Sequence, residues 1–235
     1  PGRTDRLTAA TIPDRRPSEI AIPVGRAWAS QYNHASRIAN LRPKPDYASS
    51  PSIRGNTRVN QFRIREAIPA DAPGYIGLMK AILREQPPVD TPYAADEFDP
   101  APAAMAERIA EYPLTGNSLF LVALGGAKNG PLIGALTGRG GSLHADRHVA
   151  ELGIYVARDW RNQGVGAGLM AHLLDWAGTH PLIERVQLEV LAGNDRAGRC
   201  YERCGFVREG GRQRAYRRNG AFADVIMMAG LKGGR

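Results

Sequence analysis

From residue 61 onward the chain moves between two hydrophobic periods, and each period names an element. Phe62-Arg-Ile-Arg-Glu-Ala67 alternates apolar and polar residues, the pattern of a strand with one buried face. Ala70-Asp71-Ala72-Pro73 opens a helix that runs to about Glu85, and a short helix covers residues 103–111. Residues 86–102 between them are rich in proline and acids (Asp90, Asp96, Glu97, Asp99) and read as a long loop. Residues 118–124 and 132–138 form a hairpin around Gly125-Gly126, and a third arm spans residues 149–156. An amphipathic segment, residues 169–178, puts Leu169, Leu173 and Trp176/Ala177 on one face, continuing from Val165. Arg185-Val-Gln-Leu-Glu-Val-Leu191 alternates again and is rich in β-branched residues, so it reads as a strand. Residues 211–217 and 222–228 flank Arg218-Asn219-Gly220, a hairpin turn signal. The sum is an α+β sandwich around a mixed, mostly antiparallel sheet.

Composition narrows the class. At 235 residues and 43% hydrophobic content the chain can build one sizeable core. No apolar run approaches the length of a membrane-spanning helix. Charge is uneven: residues 1–60 hold 10 Lys+Arg against 4 Asp+Glu, whereas residues 61–235 hold 21 against 19. Residues 1–60 also hold 7 of the 17 prolines and no sustained periodicity, so they read as a disordered basic leader before a single domain at 61–235. Basic character alone suits nucleic acid, but no aromatic residues interleave with the charges, and no nucleic-acid partner is expected. The two cysteines sit four apart on one helix face, where a disulfide is disfavoured; this fits a reducing compartment and a cytoplasmic location. No Cys/His/Asp cluster has metal-ligand spacing.

The stretch richest in chemical information is Arg161-Asn162-Gln163-Gly164-Val165-Gly166, between the arm ending at Val156 and the amphipathic helix. Strand, glycine-rich turn, helix presents bare backbone N–H groups and a positive helix end to a phosphate. A P-loop would need Lys-Ser or Lys-Thr after the second glycine, and neither pair occurs in the chain. A dinucleotide fingerprint is weakened because Leu169 stands at the third glycine position, although Glu184 and Glu189 lie where a ribose-binding acid would be. The third reading is an Arg/Gln-x-x-Gly-x-Gly/Ala pyrophosphate loop, matched by Arg161, Gly164 and Gly166. Downstream, Asn194 is a good N-cap, Ala197, Cys200, Tyr201 and Cys204 share one helix face, and Gly205-Phe206 closes the helix. This resembles the Asn-x-x-Ala-x-x-x-Tyr-x-x-x-Gly-Phe pattern of the GNAT acyl-CoA N-acetyltransferases. The two motifs, in order and about thirty residues apart, carry the resemblance, which covers residues 61–232 and is strongest from 150 to 207.

The resemblance implies a GNAT-like αβα sandwich whose central strand pair splays, with acetyl-CoA as co-substrate and no metal. It implies that Ile154, Tyr155 and Val156 pair with the pantetheine arm, with Gly153 a place for the bulge that opens the strands. Backbone N–H groups from Asn162 to Ala167 (Asn162, Gln163, Gly164, Val165, Gly166, Ala167) would cradle the pyrophosphate, with Arg161 either reaching a phosphate or starting the loop. Asn194 is either a plain cap or a cap that also meets the cofactor. Tyr201 is the candidate general acid and Glu151 the candidate base, with Asp224 a second acid whose role is more readily structural. His172, His144 and His148 read as structural or solvated. The implied activity is N-acetyl transfer to a primary amine of a small molecule by direct attack in a ternary complex, with room for a homodimer. Protein N-terminal or lysine acetylation, and a non-catalytic acyl-CoA-binding module, stand as alternatives. The acceptor surface is expected from residues 75–102 and the hairpin near 212–224.

Overall fold

A computed structural model of the chain describes residues 62–86, 89, 91, 93–94, 96–126, 130–218 and 220–232. The proposed leader and Asp90 lie outside the described residues. Among the described residues seven strands form one sheet: β1 (Phe62–Glu66), β2 (Leu119–Gly125), β3 (Leu132–Gly140), β4 (Val149–Val156), β5 (Arg185–Leu191), β6 (Val207–Arg218) and β7 (Ala221–Leu231). Their order across the sheet is β1-β2-β3-β4-β5-β7-β6, and every neighbouring pair is antiparallel except β4 and β5. Among the described residues four α-helices flank the sheet: α1 (Ala72–Leu83), α2 (Pro102–Glu111), α3 (Val165–Thr179) and α4 (Asp195–Arg203).

Strand alternation divides the core in two. Leu119, Leu121 and Ala123 of β2, with Val186, Leu188 and Val190 of β5, pack on Leu169, Leu173 and Ala177 of α3. The alternate residues Phe120 and Val122 face the other way, against Ile76, Met79 and Ile82 of α1 and Met105 and Ile109 of α2. A period of two in the strands and one apolar stripe per helix are therefore enough to build three layers. Close approach is set by glycine where α3 crosses β1: a Cβ on Gly168 would lie 2.8 Å from Ile64 Cδ1.

The expected bulge at Gly153 is absent. β3 and β4 pair without a break from Gly134↔Val156 to Gly140↔Ala150, with Gly153 opposite Thr137. Gly153 serves instead as a close-packing position, because a Cβ there would come 3.0 Å from Thr137 Oγ1. Register shifts fall elsewhere, at Ala123/Leu124 in β2 and at two points in β6. Among the described residues, no helix is long and apolar enough to cross a membrane.

Candidate active site

The opening in the sheet comes from a parallel pair that stops early. β4 pairs with β5 only at Val149↔Arg185, Ala150↔Val186 and Glu151↔Gln187. Both strands continue, β4 to Val156 and β5 to Leu191, but they no longer share a ladder. Each keeps its outer neighbour, β3 for β4 and β7 for β5, so a continuous ladder backs each side of the gap. The backbone of residues 152–156 on the β5 side therefore has no strand partner, an edge ready to pair with an extended, amide-bearing ligand. Ile154 and Val156 turn toward the α3 layer and Tyr155 toward the α1/α2 layer.

At the mouth of this gap stands the glycine loop. A single turn of 3-10 helix, Arg158–Trp160, leads from β4 into residues 161–164, and α3 begins at Val165. Gly164 is its N-cap with φ +86°, a conformation that a Cβ would strain. Among the described residues no side chain caps the helix, so its first-turn N–H groups have no side-chain acceptor at the positive end of a fifteen-residue dipole. Gly166 keeps the approach bare. Asn162 also has positive φ (63°), and its Oδ1 accepts a 2.5 Å hydrogen bond from Arg196 of α4. That bond ties the loop to α4 and brings a cation beside it.

The Arg161 side chain is otherwise engaged. Its two terminal nitrogens each donate to Glu85 at 2.7 Å, and its Nε donates to Val156 O at 2.9 Å. The Glu85 side chain is only 9% exposed, and Arg158 adds a bond to Gln86 O at 2.8 Å. Arg161 is thus a brace between the end of α1, the end of β4 and the loop. Sequence reasoning missed Glu85, because a partner 76 residues away leaves no trace in local pattern.

On the far side of the gap, α4 presents Tyr201. Asn194 caps the helix through Oδ1 to the Ala197 N–H (3.1 Å). Gly205, at φ +91°, ends it, and Phe206 N–H returns to Tyr201 O at 3.0 Å while its ring packs 6.0 Å from the Tyr201 ring. Burial is the main cause that pushes the Tyr201 pKa above the ordinary tyrosine value, with Cys200, Tyr155 and Cys204 adding to it. Cys200 and Cys204 are free thiols in hydrogen-bond contact, which lowers the pKa of Cys200 and raises that of Cys204.

Glu151 sits at the last β4–β5 pair, where the gap begins. Its surface is exposed, yet partial desolvation raises its pKa; the Glu189 charge adds to the rise, while Arg139 and Arg212 oppose it. Glu189 of β5 is held by Arg212 and by the Tyr216 hydroxyl at 3.1 Å. Asp224 is committed to structure: its carboxylate accepts the Arg214 N–H at 2.6 Å, where Arg214 has φ +53° in the irregular stretch of β6. His172 Nδ1 contacts Gly168 O at 2.9 Å, a bond within its own helix. Among the described residues, no group of three or more His, Cys, Asp or Glu is placed to hold a metal.

Geometry of this kind has counterparts. The family model described as "Acetyltransferase (GNAT) family" matches residues 80–206, more than half of the chain. An L-amino acid N-acetyltransferase of Escherichia coli K12 is 34% identical over 85 residues, 36% of this chain and 52% of that protein. A spermidine N(1)-acetyltransferase of Vibrio cholerae is 33% identical over 79 residues, 34% of this chain and 46% of that protein. The chain thus spans about half the length of these curated relatives. Among solved structures, a GNAT-family acetyltransferase of Streptococcus pneumoniae superposes with TM-score 0.68 at 26% identity, covering 73% of this chain and 99% of that one. A putative acetyltransferase of Salmonella typhimurium, solved with acetyl-CoA, shares the fold with TM-score 0.64 at 18% identity, covering 74% and 96%. On its sheet opening, its glycine loop and these matches, the chain belongs to the GNAT family of acetyltransferases.

Proposed function

We propose that the protein transfers an acetyl group from acetyl-CoA to a primary amine of a small molecule, by direct attack in a ternary complex. The observation that carries this is the end of β4–β5 pairing at Glu151, beside a helix N-terminus whose first-turn N–H groups lack a side-chain cap. An unpaired strand edge suits the amides of pantetheine, and the loop N–H groups from Asn162 to Ala167 suit a pyrophosphate. Bound there, acetyl-CoA would supply the activated acyl group as a thioester. The names of the curated relatives, an amino-acid and a spermidine acetyltransferase, support a small amine as acceptor.

The chain's own residues then have two proton tasks. An ammonium cannot attack, so a base at the mouth of the gap must take its proton; Glu151 is placed for this, and its raised pKa brings it toward the working pH. Tyr201 holds its phenolic proton at neutral pH, since burial raises its pKa. That makes it a weaker acid than a free thiol, so Tyr201 helps most by donating a hydrogen bond while negative charge grows on the departing sulfur. Arg161 acts indirectly, by fixing the loop through Glu85.

The test is free-thiol release from acetyl-CoA across amines, amino acids, polyamines and peptides. Turnover with small amines is expected. Acetyl-CoA binding without turnover on any acceptor would make the chain a binding module instead, and turnover confined to peptides would assign it to protein acetylation.

A further inference from the structure

Both cysteines of the chain, Cys200 and Cys204, lie at the last turn of α4 and bracket Tyr201. Both are free and half-buried, and their thiols share a hydrogen bond. We infer that they form an oxidisable pair: a hydroperoxide converts Cys200 to a sulfenic acid, Cys204 closes a disulfide onto it, and the tightened turn displaces Tyr201 and stops transfer. The last step rests on the transferase reading above; the thiol chemistry stands without it.

The surroundings of Cys200 make it the first to react. The hydrogen bond from Cys204 holds the Cys200 thiol below its ordinary pKa against burial, and Arg203, by charge and by a hydrogen bond, and the charge of Arg196 add to the fall. A thiolate beside two cations and partly open to solvent is the form that peroxides oxidise. The same hydrogen bond, with burial and the Cys200 charge, holds the proton on Cys204. The pair therefore has an order built in. The Cys200 thiolate attacks one peroxide oxygen; the O–O bond breaks, an S–O bond forms, the sulfur gives up two electrons, and the departing hydroxide takes a proton to become water. The sulfenic acid is neutral, so Cys204 then releases its proton more readily. Its sulfur attacks that of Cys200, an S–S bond replaces the S–O bond, and hydroxide leaves with the Cys204 proton as a second water.

Geometry decides where the bridge acts. Residues four apart in a regular helix hold their Cβ atoms about 5–6 Å from one another, and a disulfide needs about 3.5–4.5 Å. That mismatch disfavours a bridge inside a helix, but Cys204 is the C-cap of α4, with ψ 4°. Its N–H is shared among the carbonyls of Cys200, Tyr201 and Glu202, and Gly205 at φ +91° follows. Only this last turn must draw in, by about 1–2 Å. The movement reaches Tyr201, whose carbonyl accepts the N–H groups of Cys204 and Phe206 at 3.0 Å each. A bridge closed against the helix is strained, and thiol reductants open it readily.

The full chain is to be treated with hydrogen peroxide, freed of it, and read by intact mass, by alkylation and by acetyl-CoA turnover. Wild type is expected to lose two hydrogens within one chain and to resist alkylation. Its kcat should fall about tenfold or more, as for a misplaced catalytic group, and dithiothreitol should restore it. Cys200→Ser should keep its activity through the treatment, and Cys204→Ala should stop at a Cys200 sulfenic acid that dimedone traps. An unchanged mass, a bridge between two chains, or dimedone trapped at Cys204 in Cys200→Ser as readily as at Cys200 in Cys204→Ala would overturn the pair. A closed bridge with unchanged kcat would overturn the link to Tyr201, and so would equal inactivation of Cys200→Ser, which assigns the loss to methionine oxidation. If no acceptor releases thiol before oxidation, the transferase reading is the one that fails, and mass with dimedone trapping decides the pair alone.

Discussion

The guanidinium of Arg161 closes on both oxygens of Glu85 at 2.7 Å, so its charge is neutralised before any phosphate approaches. The loop motif's most recognisable side chain is a brace, and the cradle proposed above is made of backbone N–H groups. Arg161→Ala should therefore act first on stability, by about 3 kcal/mol, as expected for breaking a mostly buried ion pair. Arg161→Lys should rescue little, because an ammonium cannot reproduce the two-pronged bond together with the bond to Val156 O. Denaturant midpoints of the two variants and of Glu85→Gln check this. Unchanged midpoints with a large loss of acetyl-CoA affinity would return Arg161 to the phosphates.

Gly166 gives the complementary test. A Cβ at this position meets only Val156 Cγ2, at an ordinary 3.8 Å, so the fold has room for a side chain. A valine there would stand over the N–H groups of the first turn. Gly166→Val should stay folded and lose about 10²-fold or more in acetyl-CoA affinity, since the anion must approach that backbone closely. Calorimetric titration reads the affinity, and an undiminished value in a folded variant would sink the cradle.

Local pattern carried most of this architecture and failed where distant parts meet. Alternation placed β5 at 185–191, and the cap pair Asn194 and Gly205 placed α4, because each signal lies within a few residues of its effect. The start of α3 was obscured: Gly164, Gly166 and Gly168 thin the apolar stripe in its first turns, so the pattern emerges only at Leu169. Gly210 and Gly211 likewise break the alternation near the start of β6, which runs from Val207 rather than 211. A bulge was expected at Gly153 because glycine weakens strands, yet the residue is needed for its clearance over Thr137. The Glu85–Arg161 brace joins residues far apart in sequence, and no periodicity records such a pairing.

Tyr201 can be tested with one atom. Tyr201→Phe keeps the ring packing against Phe206 and removes only the hydroxyl. The expected outcome is kcat lower by about 10²-fold with acetyl-CoA affinity little changed, the pattern of an interaction made mainly in the transition state. Single-turnover measurement separates the chemical step from product release. An unchanged chemical rate would make Tyr201 a packing residue.

Glu151 makes a prediction whose sign is fixed by the direction of its shift. Burial, reinforced by Glu189, outweighs Arg139 and Arg212, so the folded protein binds the Glu151 proton more tightly than the unfolded chain does. Its contribution to stability is therefore most favourable while it is protonated, and is lost as pH rises from the unfolded carboxylate pKa through the higher folded one. Glu151→Gln removes that loss, so the variant should gain on wild type across this window. Its activity should move the other way. In wild type, kcat/KM for the amine should rise with pH as Glu151 ionises and becomes able to accept a proton. The glutamine cannot accept it, so this limb should vanish and the rate should approach wild type only where the amine is itself deprotonated. One acceptor must serve for both proteins, because the amine's own titration adds a second limb. Profiles of the same shape and height would free Glu151 of any catalytic duty. Asp224 would be a poor replacement while its carboxylate holds the Arg214 N–H, which leaves water, or Glu189 once released from Arg212, to take the proton.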